Sequence, residues 1–165
     1  MVPAREILLA DADVLIDYAV SDLSMLQLTS RTIGQVHVLA ETLATVRQLS
    51  ARDCRRYGIH VIQTETDVLV EAGQLSGPLS FEDWLSLITC RNKSWTCLTN
   101  DRALIRTCRQ HKVLWRRGLG LMIDLVRSGA ITETRVLHVA QVMHSHNPQH
   151  INERVLIAFR RAIRE

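Results

Sequence analysis

The 165 residues of the chain are 47% hydrophobic and 22% charged and carry a net charge of +3 at neutral pH, which is typical of one compact globular domain. No apolar run approaches the roughly 20 residues that cross a bilayer, and Met1 to Arg5 lead directly into a predicted strand, so we expect neither a membrane-spanning helix nor a signal peptide. The four cysteines form no C-x-x-C pair and lie in apolar segments, so we expect a reduced, cytoplasmic protein.

Hydrophobic periodicity predicts strands and helices that alternate along the first two thirds of the chain. Strands are predicted at residues 6–10, 36–39, 59–62, 96–99 and 113–115, each a short and mainly apolar run. Helices are predicted at residues 13–20, 22–28, 41–57, 64–73, 81–92 and 102–110. This alternation predicts an α/β fold in which helices cover both faces of a parallel sheet.

The sequence after Gly118 shows helical patterns only. Helices are predicted at residues 119–127, 132–144 and 152–164, and they are separated by Gly129 and by Asn147-Pro148. We therefore expect an α/β unit at residues 1–117 and a C-terminal helical extension at residues 118–165 that is packed on it or contiguous with it.

Acidic residues follow the predicted strands. Asp11 ends the first strand, Glu41 comes just after the second, and Asp101 follows the fourth. The carboxyl ends of parallel strands lie along one edge of a sheet, where open α/β sheets bind their ligands, so these three carboxylates are expected at the same edge. A simpler interpretation stays open, in which Asp13 only caps the helix that follows it and Asp11 is a turn residue.

A fourth acid, Asp83, opens the helix before the fourth strand. It shares a helical stripe with Leu87 and Cys90, so we expect its side chain to point inward. Glu82 is expected to face water, because it shares a neighbouring polar stripe with Ser86, Thr89 and Lys93. Capping of its own helix, in a capping box with Ser80, is the alternative role of Asp83.

Several carboxylates in one cleft repel each other unless a cation compensates their charge. Oxygen-only ligation suits Mg²⁺ or Mn²⁺, and such an ion can activate a water for hydrolysis of a phosphodiester. The charge distribution agrees with a phosphate ligand, since residues 1–101 have 8 Lys and Arg against 13 Asp and Glu, a net of −5, whereas residues 102–165 have 12 against 4, a net of +8. Candidate phosphate contacts, with a solvated surface as the alternative, are Arg102, Arg106, Arg109, Arg116 and Arg117.

Four short motifs resemble those of the PIN-domain family, specifically its VapC-like toxin ribonucleases. They are LADADVLID at residues 9–17, VLAE at 38–41, LSFEDWLSL at 79–87 and LTNDRAL at 98–104, and the resemblance covers about residues 5–116. The chain departs from the family at Asp13, where Asn or Ser is usual. Three roles of Asp13 stay open, namely an extra metal ligand, a group that reaches the metal through water, and a helix cap only; we favour a helix cap that also lies next to the metal ligands. We interpret Asp17 as a surface or interface residue.

The resemblance implies a three-layer α/β/α fold with a central parallel sheet of four or five strands, and a metal-dependent ribonuclease activity. It implies that Asp11, Glu41, Asp83 and Asp101 surround one or two Mg²⁺ or Mn²⁺ ions, with Thr99 as a polar helper. It further implies an RNA substrate, a homodimer as in many members, and the role of the toxin in a toxin–antitoxin pair, silenced by a small antitoxin protein. The glycine-rich turn at residues 116–121 resembles a subgroup of the family in which helices follow.

Two other functions stay open. The Asp11-Ala12-Asp13 segment also matches the D-x-D motif of haloacid-dehalogenase-like phosphatases, in which the first Asp is a covalent nucleophile. The only lysines, Lys93 and Lys112, are not followed by that family's later paired-Asp motif, which disfavours this function. Alternatively, the chain is a catalytically idle PIN-fold module that binds RNA or another protein.

The C-terminal histidines and the tryptophans are predicted to have structural roles. The histidines near Asn147-Pro148 fit no zinc-ligand spacing and are predicted as surface loop residues; they are His138, His144, His146 and His150. The three tryptophans, Trp84, Trp95 and Trp115, are predicted to lie in the core.

Overall fold

The computed structural model describes residues 5–165, so the predicted passage of residues 1–4 into the first strand lies outside the described range. The elements in chain order are β1 (Glu6–Ala10), α1 (Ala12–Ser21), α2 (Ser24–Thr32), β2 (Gly34–Leu39), α3 (Ala40–Ala44), α4 (Ala51–Arg56), β3 (His60–Ile62), α5 (Thr66–Gly73), α6 (Phe81–Lys93), β4 (Thr96–Leu98), α7 (Arg102–Gln110), β5 (Trp115–Arg116), α8 (Gly118–Arg127), α9 (Glu133–His146) and α10 (Glu153–Arg164).

The strands within residues 5–165 form one sheet in the order β3-β2-β1-β4-β5, and all neighbouring strands are parallel. The chain proceeds from β1 outward through β2 to β3 and then returns to add β4 on the other side of β1. The strand order therefore reverses between β1 and β4. In open α/β sheets, the crevice at such a reversal is where ligands bind.

Side chains of β1 alternate between two hydrophobic clusters on opposite faces of the sheet. Leu8 and Ala10 belong to the cluster that includes helices α1, α2, α4, α8, α9 and α10. Leu9, which lies between them in sequence, belongs to the cluster with α5, α6 and α7. Helices therefore cover both faces, and the predicted three-layer α/β/α fold is confirmed.

The C-terminal helices complete the first of these clusters. Met122, Ala140 and Phe159 are buried there, one from each of α8, α9 and α10, and α9 packs along α1. The Tyr18 hydroxyl donates a hydrogen bond of 2.6 Å to the Gly118 carbonyl at the start of α8. None of the helices in residues 5–165 combines the length and the apolar character that a membrane span requires.

The single helix predicted at residues 41–57 is wrong, because two short helices, α3 and α4, occupy this segment. A capping box between Ser50 and Asp53 starts α4. Val46 and Leu49 lie in the connection and are buried, so their spacing imitates a helical stripe without forming a helix.

The predicted roles of the tryptophans hold in part. Trp84 is buried, whereas Trp95 and Trp115 are only half-buried. The four cysteines, all within the described residues, are free and buried.

Candidate functional site

Asp11 directly follows β1 at the carboxyl edge of the sheet and is 3% exposed. Its backbone N–H donates a hydrogen bond of 3.0 Å to the Leu98 carbonyl of β4. Its Oδ1 accepts a hydrogen bond of 3.0 Å from the Val14 N–H, which makes Asp11 the N-cap of α1. The prediction that Asp13 caps this helix is wrong. The backbone of Asp11 is extended and the helix starts at Ala12, so Asp13 lies within the first turn and is exposed.

Thr99 joins the ends of β1 and β4. Its hydroxyl donates a hydrogen bond to Oδ2 of Asp11 and accepts one of 3.0 Å from the Asp101 N–H. Asp101 in turn caps α7, since its Oδ1 accepts a hydrogen bond of 2.8 Å from the Leu104 N–H. One threonine side chain thus fixes two of the predicted site acids relative to each other across the strand-order reversal.

Asp83 lies in the first turn of α6 and is half-buried. It forms a capping box with Ser80, whose Oγ accepts a hydrogen bond of 3.1 Å from the Asp83 N–H. Burial raises the pKa of Asp83, and the negative charges of Asp101 and Asp13 raise it further against the hydrogen bonds from Ser80. The pKa of Asp83 therefore depends on the charges of the acids that follow β1 and β4.

The polar stripe of α6, on which the predicted exposure of Glu82 rests, is largely enclosed. Ser86 is 1% exposed and Thr89 is 3% exposed, and Glu82 is half-buried. The reason is that α6 contacts α5, α7, β1 and β4, so most of its circumference is enclosed. Periodicity within the helix could not predict this, because the enclosing elements come from other parts of the chain.

The candidate site brings carboxyl groups together without a basic partner among residues 5–165. The pKa of Asp11 is raised to about 7, mainly by burial and in addition by the charges of Asp13 and Asp83, while hydrogen bonds from Thr99 and the Val14 N–H lower it. Among residues 5–165, neither Asp11, Asp83 nor Asp101 takes part in a salt bridge. A buried carboxylate without a cationic partner favours its protonated form.

Glu41 lies in α3, just after β2, at the same edge of the sheet. Its Oε2 accepts a hydrogen bond from the hydroxyl of Thr64, which follows β3. Because β3 lies on the side of β2 away from β1, this contact directs Glu41 away from Asp11. In the described part of the chain, no three carboxylate, imidazole or thiol groups stand close enough to hold a metal ion as they are.

The predicted arginines differ in their surroundings. Arg102 and Arg117 are exposed and line a cleft of about 820 Å³ that reaches Asp101. Arg106 is exposed on α7. Arg116 is held by carboxylates, since its guanidinium pairs with Asp124 and, at 3.3 Å, with Glu6.

Asp17 was predicted as a surface or interface residue, and the surface position is wrong, because Asp17 is 3% exposed. Its carboxylate accepts hydrogen bonds from the side-chain amides of Asn147 at 3.2 Å and Asn100 at 3.4 Å. The Asn100 Oδ1 accepts a hydrogen bond of 2.9 Å from the Gly118 N–H. Burial raises the pKa of Asp17, and the two amides oppose this shift.

This polar network beside the site was not predicted from the sequence. Asn100 was visible only as the middle residue of the turn between Thr99 and Asp101. Asn147 was visible only as a helix-ending residue before proline. The pairing of both with Asp17 depends on how the C-terminal helices pack against α1, and no local pattern carries that information.

The four histidines near Asn147-Pro148 lie on α9 and in the segment that follows it. His138, His146 and His150 are exposed, and Nδ1 of His144 lies 2.5 Å from the Ile151 carbonyl. Three of the four lie in α9 instead of a loop, the exception being His150.

Comparison of the chain with protein-family models, with curated proteins and with solved structures finds no significant match.

Proposed function

We propose that the chain is a metal-dependent endoribonuclease of the PIN type, in which Asp11, Asp83 and Asp101 bind Mg²⁺ or Mn²⁺ and Glu41 completes the site. The observation that carries this proposal is the direct connection from Asp11 through the Thr99 hydroxyl to Asp101, at the reversal of the strand order. This is the position at which an open α/β sheet binds its ligand.

The chemistry of the donors fits a hard cation. All the proposed ligand atoms are carboxylate oxygens, which Mg²⁺ and Mn²⁺ prefer. Burial, and to a smaller extent the neighbouring acids, raise the pKa of Asp11 and Asp83, and a bound cation favours the ionised forms of both. When bound, the metal supplies a Lewis acid that offsets charge on a phosphoryl group and lowers the pKa of a water.

Asp101 and Asp83 each keep one carboxylate oxygen for a cation, whereas both oxygens of Asp11 accept hydrogen bonds. Capping uses Oδ1 of Asp101 and Oδ2 of Asp83, and the second oxygen of each carboxylate accepts no hydrogen bond from the described residues. Thr99 orients Oδ2 of Asp11. Glu41 lies at the same edge of the sheet as the other three acids. It would become a ligand by giving up its hydrogen bond with Thr64 and binding the cation instead.

RNA as the substrate is supported by the excess of Lys and Arg in residues 102–165 and by the four motifs that resemble the PIN family. The same resemblance supports the role of a toxin that is silenced by a small antitoxin protein. The measurement for this role is growth arrest of bacteria on induced expression of the chain, which Asp11→Asn should abolish.

The nuclease proposal is tested by cleavage of a mixed-sequence single-stranded RNA with Mg²⁺, with Mn²⁺ and with a chelator. We expect metal-dependent cleavage by the natural chain and a loss of about 100-fold or more in Asp11→Asn and Asp101→Asn, the size typical for removal of a charge-stabilising group. Asp67→Asn, a change of the same kind at an exposed acid of α5, is the matched control and should cleave normally. Equal cleavage by the natural chain and Asp11→Asn, or no cleavage with either metal, would contradict the proposal.

A further inference from the structure

A cleft of about 820 Å³ opens beside Asp101, between the start of α7 and the helices α8 and α10. Its volume lies within the roughly 300–1,000 Å³ of pockets that enclose small ligands. One wall is apolar and is formed by Leu119 and Ile123 of α8 with Val155 and Phe159 of α10. The C-terminal helices therefore extend the candidate site with a surface that the sheet edge alone does not offer.

The rim of this cleft is cationic. Arg102 and Arg117 line it and are exposed, and within residues 5–165 neither of them forms a salt bridge. The Arg117 guanidinium lies 6.0 Å from the centre of the Trp115 ring, which restricts its orientation. Of the described side chains that line the cleft, Asp101 is the only acidic one.

We propose that this cleft binds one nucleotide of a single-stranded RNA, adjacent to the nucleotide whose phosphate lies at Asp11 and Asp101. The base lies against the apolar wall, and the phosphate lies between Arg102 and Arg117. This inference rests on the proposed function, because it assigns part of the substrate path of the same site. A single strand is required, since a base must leave its stack to enter a cleft.

The combination of an apolar wall with two unpaired arginines favours a nucleotide over a segment of protein. Phosphate oxygens are the natural partners of arginine, whereas the base supplies apolar area for the wall. Arg102, Arg117 and Asp101 line the same cleft. A nucleotide in the cleft and the phosphate at Asp101 can therefore belong to the same RNA strand.

Gly120→Phe is a substitution designed to fill the cleft. Gly120 lines the cleft, and a Cβ at this position would meet no atom within 4 Å. Gly73, at the end of α5, also has no atom within 4 Å of such a Cβ. Gly73→Phe is therefore the matched control for Gly120→Phe, and Arg31→Ala, an exposed arginine before β2 at the opposite edge of the sheet, is the control for the arginines.

The experiment measures binding of a labelled ten-nucleotide single-stranded RNA by fluorescence anisotropy in the presence of a chelator, so that cleavage plays no part. We expect about tenfold weaker binding for Gly120→Phe and for Arg102→Ala combined with Arg117→Ala. In the arginine variant the slope of log affinity against log salt concentration should also fall by roughly the amount that two phosphate contacts contribute. Gly73→Phe and Arg31→Ala should stay within about twofold of the natural chain. Circular dichroism confirms that each variant is folded.

If none of the cleft substitutions changes the affinity for the RNA, the inference is overturned. A polypeptide is then the alternative occupant of the cleft. If the natural chain cleaves RNA and the cleft variants bind RNA normally, the inference fails while the proposed function stands. If the cleft variants lose binding and no metal supports cleavage, the inference holds and the nuclease function fails.

Discussion

Asp11 combines structural and chemical roles in one side chain. It caps α1, it accepts the Thr99 hydroxyl, and it is the most buried of the proposed metal ligands. Its pKa of about 7 lies above the ordinary value of 3.8. Between these two values the folded state binds more protons than the unfolded state, so the stability of the metal-free protein falls as the pH rises from about 4 to 7.

We expect Asp11→Asn to be more stable than the natural chain at pH 8 in a chelator and to lose most of this advantage near pH 4. The difference is at most about 4 kcal/mol, because the neutral amide removes the cost of ionising a buried carboxylate. Thermal unfolding at several pH values measures it, and Mn²⁺ should raise the Tm of the natural chain but not of Asp11→Asn. Parallel pH profiles for the two proteins would show that Asp11 does not titrate in this way. Asp67→Asn serves again as the control.

At the scale of the elements, the start of α8 depends on a close approach. A Cβ on Gly118 would lie 3.1 Å from the side-chain nitrogen of Asn100 and 3.1 Å from a methyl group of Val14. The Gly118 N–H and carbonyl hold Asn100 and Tyr18 respectively. A side chain at position 118 would therefore require Asn100 or Val14 to shift by a few tenths of an ångström, and Gly118 connects α8 to both the site turn and α1.

Gly118→Ala should destabilise the fold by about 1 kcal/mol or more, because its methyl group displaces Asn100 or Val14. Gly120→Ala, two residues further in the same helix, should stabilise it by about 0.5–1 kcal/mol, because alanine favours the helix and its Cβ is unobstructed. Urea unfolding of the two variants measures both effects. Equal stability of the pair would show that the approach at Gly118 is not tight.

Local patterns in the sequence predict the helices and strands well where a single signal, such as apolar periodicity or a capping residue, determines the element. The alternation of strands and helices follows from apolar periodicity, and the N-cap of α6 follows from Ser80. The break between α3 and α4 was missed although Ser50 and Asp53 have the capping-box spacing, because the apolar stripe through Val46 and Leu49 favoured one long helix. Two local signals conflicted there, and the cap prevailed.

At the scale of the molecule, the C-terminal helices are part of the core of the sheet. Leu15 and Tyr18 of α1 share a buried cluster with residues of α8, α9 and α10, and Asp17 is held between Asn100 and Asn147. Which residues meet here depends on contacts across 83 and 130 positions of the chain. This is the reason why the burial of Asp17 could not be predicted, whereas the shared edge of Asp11, Glu41 and Asp101 followed from parallel strands alone.

A chain that ends at Arg117 should fail to fold, because it leaves this face of α1 exposed and Asp17 without Asn147. The full chain should unfold in a single transition, since one cluster joins the sheet and the extension. Circular dichroism and gel filtration of the two chains measure this. A stable, compact chain of residues 1–117 would show that the extension is dispensable for folding.

The pairing of β1 with β4 has a consequence for the time at which the site comes into existence. The hydrogen bond between Thr99 and Asp11 closes a loop of 88 residues, so it forms among the late, non-local contacts of folding. During synthesis, β1 has β2 as a neighbour long before β4 leaves the ribosome. The nascent chain therefore lacks the connection from Asp11 through Thr99 to Asp101 until about residue 101 has emerged, so the candidate site is assembled only in the later part of synthesis.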